Sequence, residues 1–421
     1  MATKTGYRRV VAENKHINDS VTVDGCTPVH LWALIRHGSR YTSDGNLEDM
    51  IKELPALRDQ IYTANNSNLC FIDKELLKYW NTDDLDVEMD HRLHEEGEQE
   101  LKLMGQRWLQ RFPDLLGQYD ESKFRLRATN KQRAEKSGEM FITGLWSEDV
   151  ATRAKWNVVR SGDDPLIRFY KFCTAWYQER ETDEKDLFEE SETVKLVQSS
   201  LSSLLGVNIT SDEMDLMYDM CRFDLMWTPR KISPWCRVFS DYNLQVMEYI
   251  QDLESYWKEG PGHKVNYEQA CILLKDMFDI FQDIIKGKDT TKGTFYFGHS
   301  TAIKMVLSFL KLFEEEDLQS SNFEEMKDKR KWRTSFHVPM AANIAFSLQQ
   351  CGDEVYKIGL FFNEQLVQIP GCNQDWCPIE TFTDLFPQIE SCDYNNICLI
   401  NDTQEKIIES QSPWICQRQE L

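Results

Sequence analysis

The chain has 421 residues, of which 41% are hydrophobic and 28% charged, and 12 Trp, 15 Tyr and 22 Phe supply the large side chains of an extensive core. That composition excludes wholesale disorder, and the length fits two or three units or one large fold carrying an insertion. With 48 Lys and Arg against 70 Asp and Glu the net charge is −22, which excludes a general nucleic-acid binder, because that needs a basic face. A small anionic substrate would need a local pocket of Arg and Lys set within a repulsive overall field.

In chain order, Met1-Ala2-Thr3-Lys4-Thr5 lacks the apolar core of a signal peptide, so a secretory origin implies that a leader has been removed. Val29–Ile35 is a short apolar run between Pro28 and Arg36-His37-Gly38, which predicts a buried strand ending in a polar loop. From about Asp90 to Arg111 the pattern is helical, with Leu101, Met104 and Trp108 on one face. His91 and His94 beside Glu95 and Glu96 read as a polar helix entry rather than a metal site. Phe124–Thr129 alternates as a half-buried strand does, and a helix over Glu135–Leu145 follows. Thr294–Phe297 is a third strand, followed by Gly298-His299 and a helix over Ala302–Phe313. Ala345–Leu348 and Tyr356–Phe362 read as an antiparallel pair joined at Cys351-Gly352-Asp353. No run of about 18 apolar residues occurs, so no transmembrane segment is expected.

Strand-then-helix units predict an α/β fold, a central mostly parallel sheet flanked by helices. Residues 134–286 are long, mostly helical and poor in strand signals, so they read as a helical subdomain inserted into an α/β domain formed by 1–133 and 287–421. The twelve cysteines and four N-x-S/T sequons, at Asn18, Asn65, Asn208 and Asn401, favour an oxidising compartment. The spacings Cys372/Cys377 and Cys392/Cys398 come near zinc-ligand range, but no His lies close enough to complete a site. Arg418-Gln419-Glu420-Leu421 partly matches an endoplasmic reticulum retrieval signal.

Chemistry is concentrated at three strand ends. Arg36-His37-Gly38-Ser39-Arg40 follows the first strand, where open α/β sheets bind ligands. A neutral His can attack phosphorus and carry the phosphoryl group, two Arg can hold the oxygens that gain charge, and Gly lets the backbone come close. Arg127, Lys131 and Arg133 lie along the second strand and its turn into a helix, where a helix N-terminus adds positive potential. His299, Ser300 and Thr301 at the third strand end can all donate to phosphate oxygens.

On these residues the sequence resembles the branch-two histidine phosphatases, the acid phosphatases and phytases, and within them it is most similar to multiple inositol polyphosphate phosphatases. The signature Arg-His-Gly-x-Arg stands at Arg36–Arg40. Thr3-Lys4-Thr5-Gly6-Tyr7, Glu96-Gly97-Glu98 with Gly105-Gln106-Arg107, and Arg127-Ala128-Thr129 through Ser137-Gly138 are similar to further segments of that group. Cys221-Arg222-Phe223-Asp224 through Ser233-Pro234-Trp235-Cys236 resembles a phytase segment, which implies a Cys221–Cys236 disulfide.

The resemblance implies His37 as nucleophile, Arg36, Arg40 and Arg133 on the transferred phosphate and His299 as a further donor. Arg127 and Lys131 would meet other phosphates of the substrate, with Ser300 and Thr301 as additional binding groups. No metal or other cofactor is implied, since Arg and His supply the positive charge. One feature departs from the family. Its acid phosphatases follow the second His directly with Asp, and its inositol phosphatases usually have Glu two residues after it, whereas this chain has Ser300 and Thr301. A missing proton donor implies slowed turnover, since general acid catalysis is worth roughly 10²–10⁴-fold.

The expectation is therefore a phosphomonoesterase acting on inositol polyphosphates in the secretory pathway, either in the endoplasmic reticulum lumen or secreted. A catalytically weak relative that binds such polyanions is the alternative, and a mutase-like or general acid phosphatase activity is a third. The residues carry no information on oligomeric state.

Overall fold

The computed structural model describes residues 2–13, 21, 23–229, 231–314 and 317–399. Asn18, Asn401, Cys416 and the C-terminal tetrapeptide lie outside the described residues. One sheet organises the molecule. Its strands are β1 (Thr27–Arg36), β2 (Phe124–Ala128), β3 (Trp156–Asn157), β4 (Gly293–Gly298), β5 (Asn343–Gln350), β6 (Tyr356–Phe362), β7 (Gln365–Val367) and β8 (Trp376–Pro378). The order is β3-β2-β4-β1-β5-β6-β7, with β8 paired to β6. β3, β2, β4 and β1 run parallel, and β5 to β8 add an antiparallel half.

Register places the three chemical strand ends side by side. Arg36 pairs with Gly298 and Ala128 with Phe297, so His37, Thr129 and His299 leave the sheet at the same edge. The His37 and Thr129 amides extend the ladder onto Gly298 and Phe297 carbonyls, both at 3.1 Å. The middle of β1, Leu31–Ile35, is apolar throughout because both of its faces are covered, as expected of a parallel strand. Trp32 and Leu34 enter one buried cluster, and Leu31, Ala33 and Ile35 enter another on the opposite face.

The predicted strands appear at or within a few residues of their expected limits. The helix after β2 begins earlier than expected, at Gln132, and the one after β4 covers Ser300–Phe309. The Asp90–Arg111 pattern contains a turn before the helix proper, Glu95–Arg111. There His94 Nδ1 accepts the Glu96 amide at 3.1 Å, so this histidine caps a helix.

Residues 134–286 are more deeply tied to the sheet than their composition suggests. Most of the Gln132–Leu145 helix lies in this segment and packs against Glu95–Arg111 on one face of the sheet, and β3 extends the parallel edge. The Cys271–Ile285 helix covers the other face. A separate helical cluster forms around Ser211–Trp227 and Asp241–Glu259, and it includes Asp44–Thr63 from outside the segment.

Among the described residues, five disulfides join Cys26–Cys351, Cys173–Cys398, Cys221–Cys236, Cys271–Cys392 and Cys372–Cys377. Cys372 and Cys377 thus bond to each other. No described helix is long and apolar enough to cross a membrane.

One close crossing sets the height of the loop after β1. A Cβ at Gly38 would lie 2.6 Å from the Gly97 carbonyl oxygen, and a Cβ at Gly97 would lie 2.2 Å from that of Ser39. Only two glycines let the loop rest directly on the first turn of the Glu95–Arg111 helix. Gly97→Ala is expected to cost about 3 kcal/mol by overpacking and to displace His37. Thermal unfolding, read together with phosphate release, checks this; a variant with wild-type melting and activity would contradict it.

Candidate active site

At the common strand edge, the structure brings Arg36, His37, Arg40, Arg133 and His299 together. The two imidazoles meet edge to face, with centroids 5.5 Å apart. His37 Nδ1 lies 2.9 Å from the Gly38 carbonyl oxygen. A carbonyl only accepts, so Nδ1 carries the proton and Nε2 keeps a lone pair. Burial, reinforced by Arg36, Arg133, His299 and Arg40, holds the His37 imidazole well below its ordinary range. Burial, with Arg133, Arg168, Arg36 and Arg40, does the same to His299. Both rings are therefore neutral near pH 7, the state a nitrogen nucleophile requires. His299 Nε2 sits 3.1 Å from the Thr129 hydroxyl, which fixes its ring.

The guanidinium groups are anchored at one end only. Arg36 donates through Nη1 to the carbonyls of Thr3 (2.8 Å) and Val338 (2.7 Å), and Arg40 donates to that of Tyr41 (2.6 Å). The buried Nε–H groups of Arg36, Arg40, Arg133 and Arg168 have no hydrogen-bond partner among the described residues. Burial, with Arg40 and Arg133 nearby, pulls Arg36 down to about 9, and burial with Arg133 pulls Arg40 down to about 10. Cations crowded together and partly unbonded are what a dianionic phosphate would satisfy.

Beneath the loop, buried Glu100 accepts the Ser39 amide (2.8 Å), the Ser39 hydroxyl (3.0 Å) and the Tyr7 amide (2.7 Å). It ties the loop to both the helix and the N-terminal segment. The Ser137 hydroxyl accepts the Gly38 amide at 3.1 Å.

The structure gives the four expected substrate-binding residues different surroundings. Arg127 does not face this cluster: it forms a buried two-pronged pair with Asp164, at 2.7 and 2.9 Å. Asp164 also accepts the amides of Leu166 and Ile167. Arg127 therefore fixes the loop that delivers Arg168, because strand alternation turns it away from the face of Leu126 and Ala128. The Thr301 hydroxyl donates to Glu259 at 2.5 Å. Lys131 is exposed at the N-cap of the Gln132–Leu145 helix. Ser300, half-buried, opens the Ser300–Phe309 helix.

Several cations at the site were not singled out from sequence as functional. Arg168 lies in a loop with no motif of its own. Lys4 arrives from the N-terminal segment, where burial and the neighbouring Arg40, Arg222, Arg36 and Lys304 hold its ammonium well below the usual range. Arg222 keeps Nε and Nη1 without partners among the described residues while it pairs with Asp219. Lys304 is buried on a helix whose neighbours Ala302, Ile303, Met305 and Val306 are apolar. One lysine in such a run is the signal that could have found it.

Comparison with known proteins agrees with this geometry. The histidine phosphatase superfamily (branch 2) matches residues 29–363, and the chain belongs to that family. Multiple inositol polyphosphate phosphatase 1 of Drosophila melanogaster is 26% identical over 409 residues, covering 93% of this chain and 85% of the relative. The Homo sapiens protein of the same name is 26% identical over 423 residues, covering 91% and 84%. Among solved structures, the phytase from D. castellii superposes with a TM-score of 0.74 at 16% identity, covering 92% of this chain and 84% of its own. The Bifidobacterium longum multiple inositol polyphosphate phosphatase, in complex with inositol hexasulfate, does so with 0.67 at 17% identity, covering 89% and 95%. These two show the shared fold.

The depressed imidazoles make a pH prediction. An unperturbed imidazole near 6.5 would lose about 25-fold of its neutral fraction between pH 7 and pH 5. Because His37 and His299 are held well below that value, their neutral fraction falls by less over that interval. The second-order rate constant toward p-nitrophenyl phosphate should not fall in this proportion, as a pH–rate profile would read; a 25-fold fall would contradict the assigned environment.

Proposed function

We propose that this chain is a phosphomonoesterase that hydrolyses inositol polyphosphates through a phosphohistidine on His37. The observation that carries the reading is the His37 imidazole, with Nδ1–H tied to Gly38 O and Nε2 free, among arginines whose buried Nε–H groups lack partners among the described residues. The reaction runs in two steps. Nε2 attacks phosphorus while Arg36, Arg40 and Arg133 hold the non-bridging oxygens, and the ester oxygen leaves. Water then attacks the phosphohistidine and returns the electron pair to Nε2. Guanidinium donors fixed before reaction stabilise the charge that builds on those oxygens, and His299 adds a further donor.

The substrate class follows from charge. One phosphate needs few cations, yet Lys4 lies beside the three arginines, and Arg168, Arg222 and Lys304, each held by a carboxylate, lie around them. A ring bearing several phosphates uses Lys4 and competes for the paired cations. The names of the relatives in Drosophila melanogaster and Homo sapiens support the same class. Five disulfides and the exposed sequon residues Asn65 and Asn208 support a secretory location, within the endoplasmic reticulum lumen or outside the cell. A second reading, a slow enzyme or a binding protein for the same polyanions, is motivated by Ser300 and Thr301, which carry no carboxyl group.

His37→Ala should lower phosphate release from inositol hexakisphosphate by at least about 10³-fold, as expected for loss of a nucleophile, and leave calorimetric binding of that ligand within a few fold. Wild-type protein that binds the ligand and releases nothing would favour the second reading. Lys4→Ala should raise KM for inositol hexakisphosphate about tenfold, a loss of about 1.4 kcal/mol, and leave KM for p-nitrophenyl phosphate nearly unchanged. Equal changes for both substrates would contradict a role on the outer phosphates.

A further inference from the structure

Cleaving an alkyl phosphate ester leaves an alkoxide, a poor leaving group unless it is protonated as the P–O bond breaks. The described groups at the cradle narrow the choice of donor. His37 is the nucleophile, and His299 is neutral and bonded to Thr129. Glu100 is buried and occupied by Ser39 and Tyr7. Asp164 is consumed by Arg127, and Asp163 pairs with Arg168. Asp90 lies near Arg40 and Arg133. Although burial works against it, the His91 ring and the Asp44 amide hold its carboxyl below the usual range, so it keeps no proton to give.

Glu259 is paired too, but with a hydroxyl and a lysine rather than with an arginine or backbone amides. It is the last residue of the Asp241–Glu259 helix, so it reaches the site from the helical cluster and not from a strand end. One carboxylate oxygen receives the Thr301 hydroxyl at 2.5 Å, and the other meets Lys304 Nζ. Thr301 is two residues beyond His299, in the first turn of the helix that points its N-terminus at the cradle. The Glu259 side chain is about one-quarter exposed, enough to meet a bound ester, whereas Lys304 beneath it is 5% exposed.

We propose that Glu259 is the proton donor to the leaving oxygen, held in place by Thr301 and Lys304; this rests on the phosphatase reading. In the first step the His37 Nε2 lone pair forms the P–N bond and the P–O bond breaks. Its electron pair stays on the inositol oxygen, which takes the proton from the Glu259 carboxyl and leaves a carboxylate. In the second step that carboxylate takes a proton from the attacking water. A P–O bond forms, the P–N bond breaks, and its electron pair returns to Nε2. No proton or electron is left over. The source of the first proton is consistent with the surroundings. Burial, with repulsion from Arg36, brings Lys304 down to about 7, so its ammonium is acidic enough to hand a proton to the Glu259 carboxylate it touches. Phosphates entering beside it make a carboxylate less favourable still, because like charges repel.

The test compares leaving groups. Glu259→Gln keeps shape and hydrogen bonding but has no acidic proton. It should lower kcat for inositol hexakisphosphate by about 10²–10³-fold while lowering kcat for p-nitrophenyl phosphate, whose leaving group needs no proton, by less than about fivefold. Glu259→Gln combined with Thr301→Glu should recover most of the loss. Inhibition by orthovanadate, unchanged in Glu259→Gln, confirms that the cradle is intact. Equal losses for the two esters, or no loss for either, would overturn the assignment of Glu259. If Glu259→Gln does not fold, Thr301→Glu alone decides: a large gain for inositol hexakisphosphate over wild type means that no donor was in place, and it overturns the assignment. A wild-type protein inert toward both esters would instead overturn the phosphatase reading itself.

Discussion

Burying several guanidinium groups around two imidazoles is electrostatically unfavourable, and the architecture near the sheet edge is arranged to sustain it. The arginines repel one another and lose hydration, which is why Arg36 and Arg40 hold their protons less tightly than free arginine does. The offsetting interactions are backbone carbonyls: Thr3 and Val338 for Arg36, and Tyr41 for Arg40. Carbonyls hold an arginine without neutralising it, so the positive potential survives for a ligand. A carboxylate on each arginine would be more stabilising for the free protein and would spoil the site. Arg127 illustrates the difference, since its two-pronged bond to Asp164 makes it part of the frame.

The same field sets the state of His37. Positive neighbours and burial strip the proton from Nε2 of His37, and the Gly38 carbonyl keeps the other proton on Nδ1. The geometry depends on the height of the loop, which the Gly38–Gly97 crossing and the Glu100 hydrogen bonds define together. The N-terminal segment closes the arrangement from the far side. Its Thr3 carbonyl meets Arg36, the Tyr7 amide meets Glu100, and Lys4 joins the cations. This local excess of positive charge stands within a chain of net charge −22, so anions are attracted at short range only.

Much of this was legible in the sequence because it is local. A short apolar run followed by Arg-His-Gly-x-Arg reads as a strand end with phosphate chemistry, and His299 after β4 reads similarly. Register then did what sequence separation concealed, bringing residues 37, 129 and 299 to one edge. What could not be read depends on side-chain direction and on distant loops. Arg127 reads as a group for the substrate's other phosphates, yet strand alternation turns it to the other face, where Asp164 holds it. Arg168 sits in an unpatterned loop, and Glu259 ends a helix some 40 residues before the threonine it meets. The 134–286 segment looked separate because a two-residue strand, β3, is too short to leave a periodic signal.

The claim on which all of this depends is that His37 carries the phosphoryl group. Mixing the enzyme with inositol hexakisphosphate, quenching in alkali within milliseconds and mapping the peptides by mass spectrometry addresses it directly. An alkali-stable, acid-labile phosphoryl group on the peptide containing Arg36-His37-Gly38, assigned to Nε2, is the predicted result. Turnover with no modified histidine, or with the group on His299 instead, would contradict it.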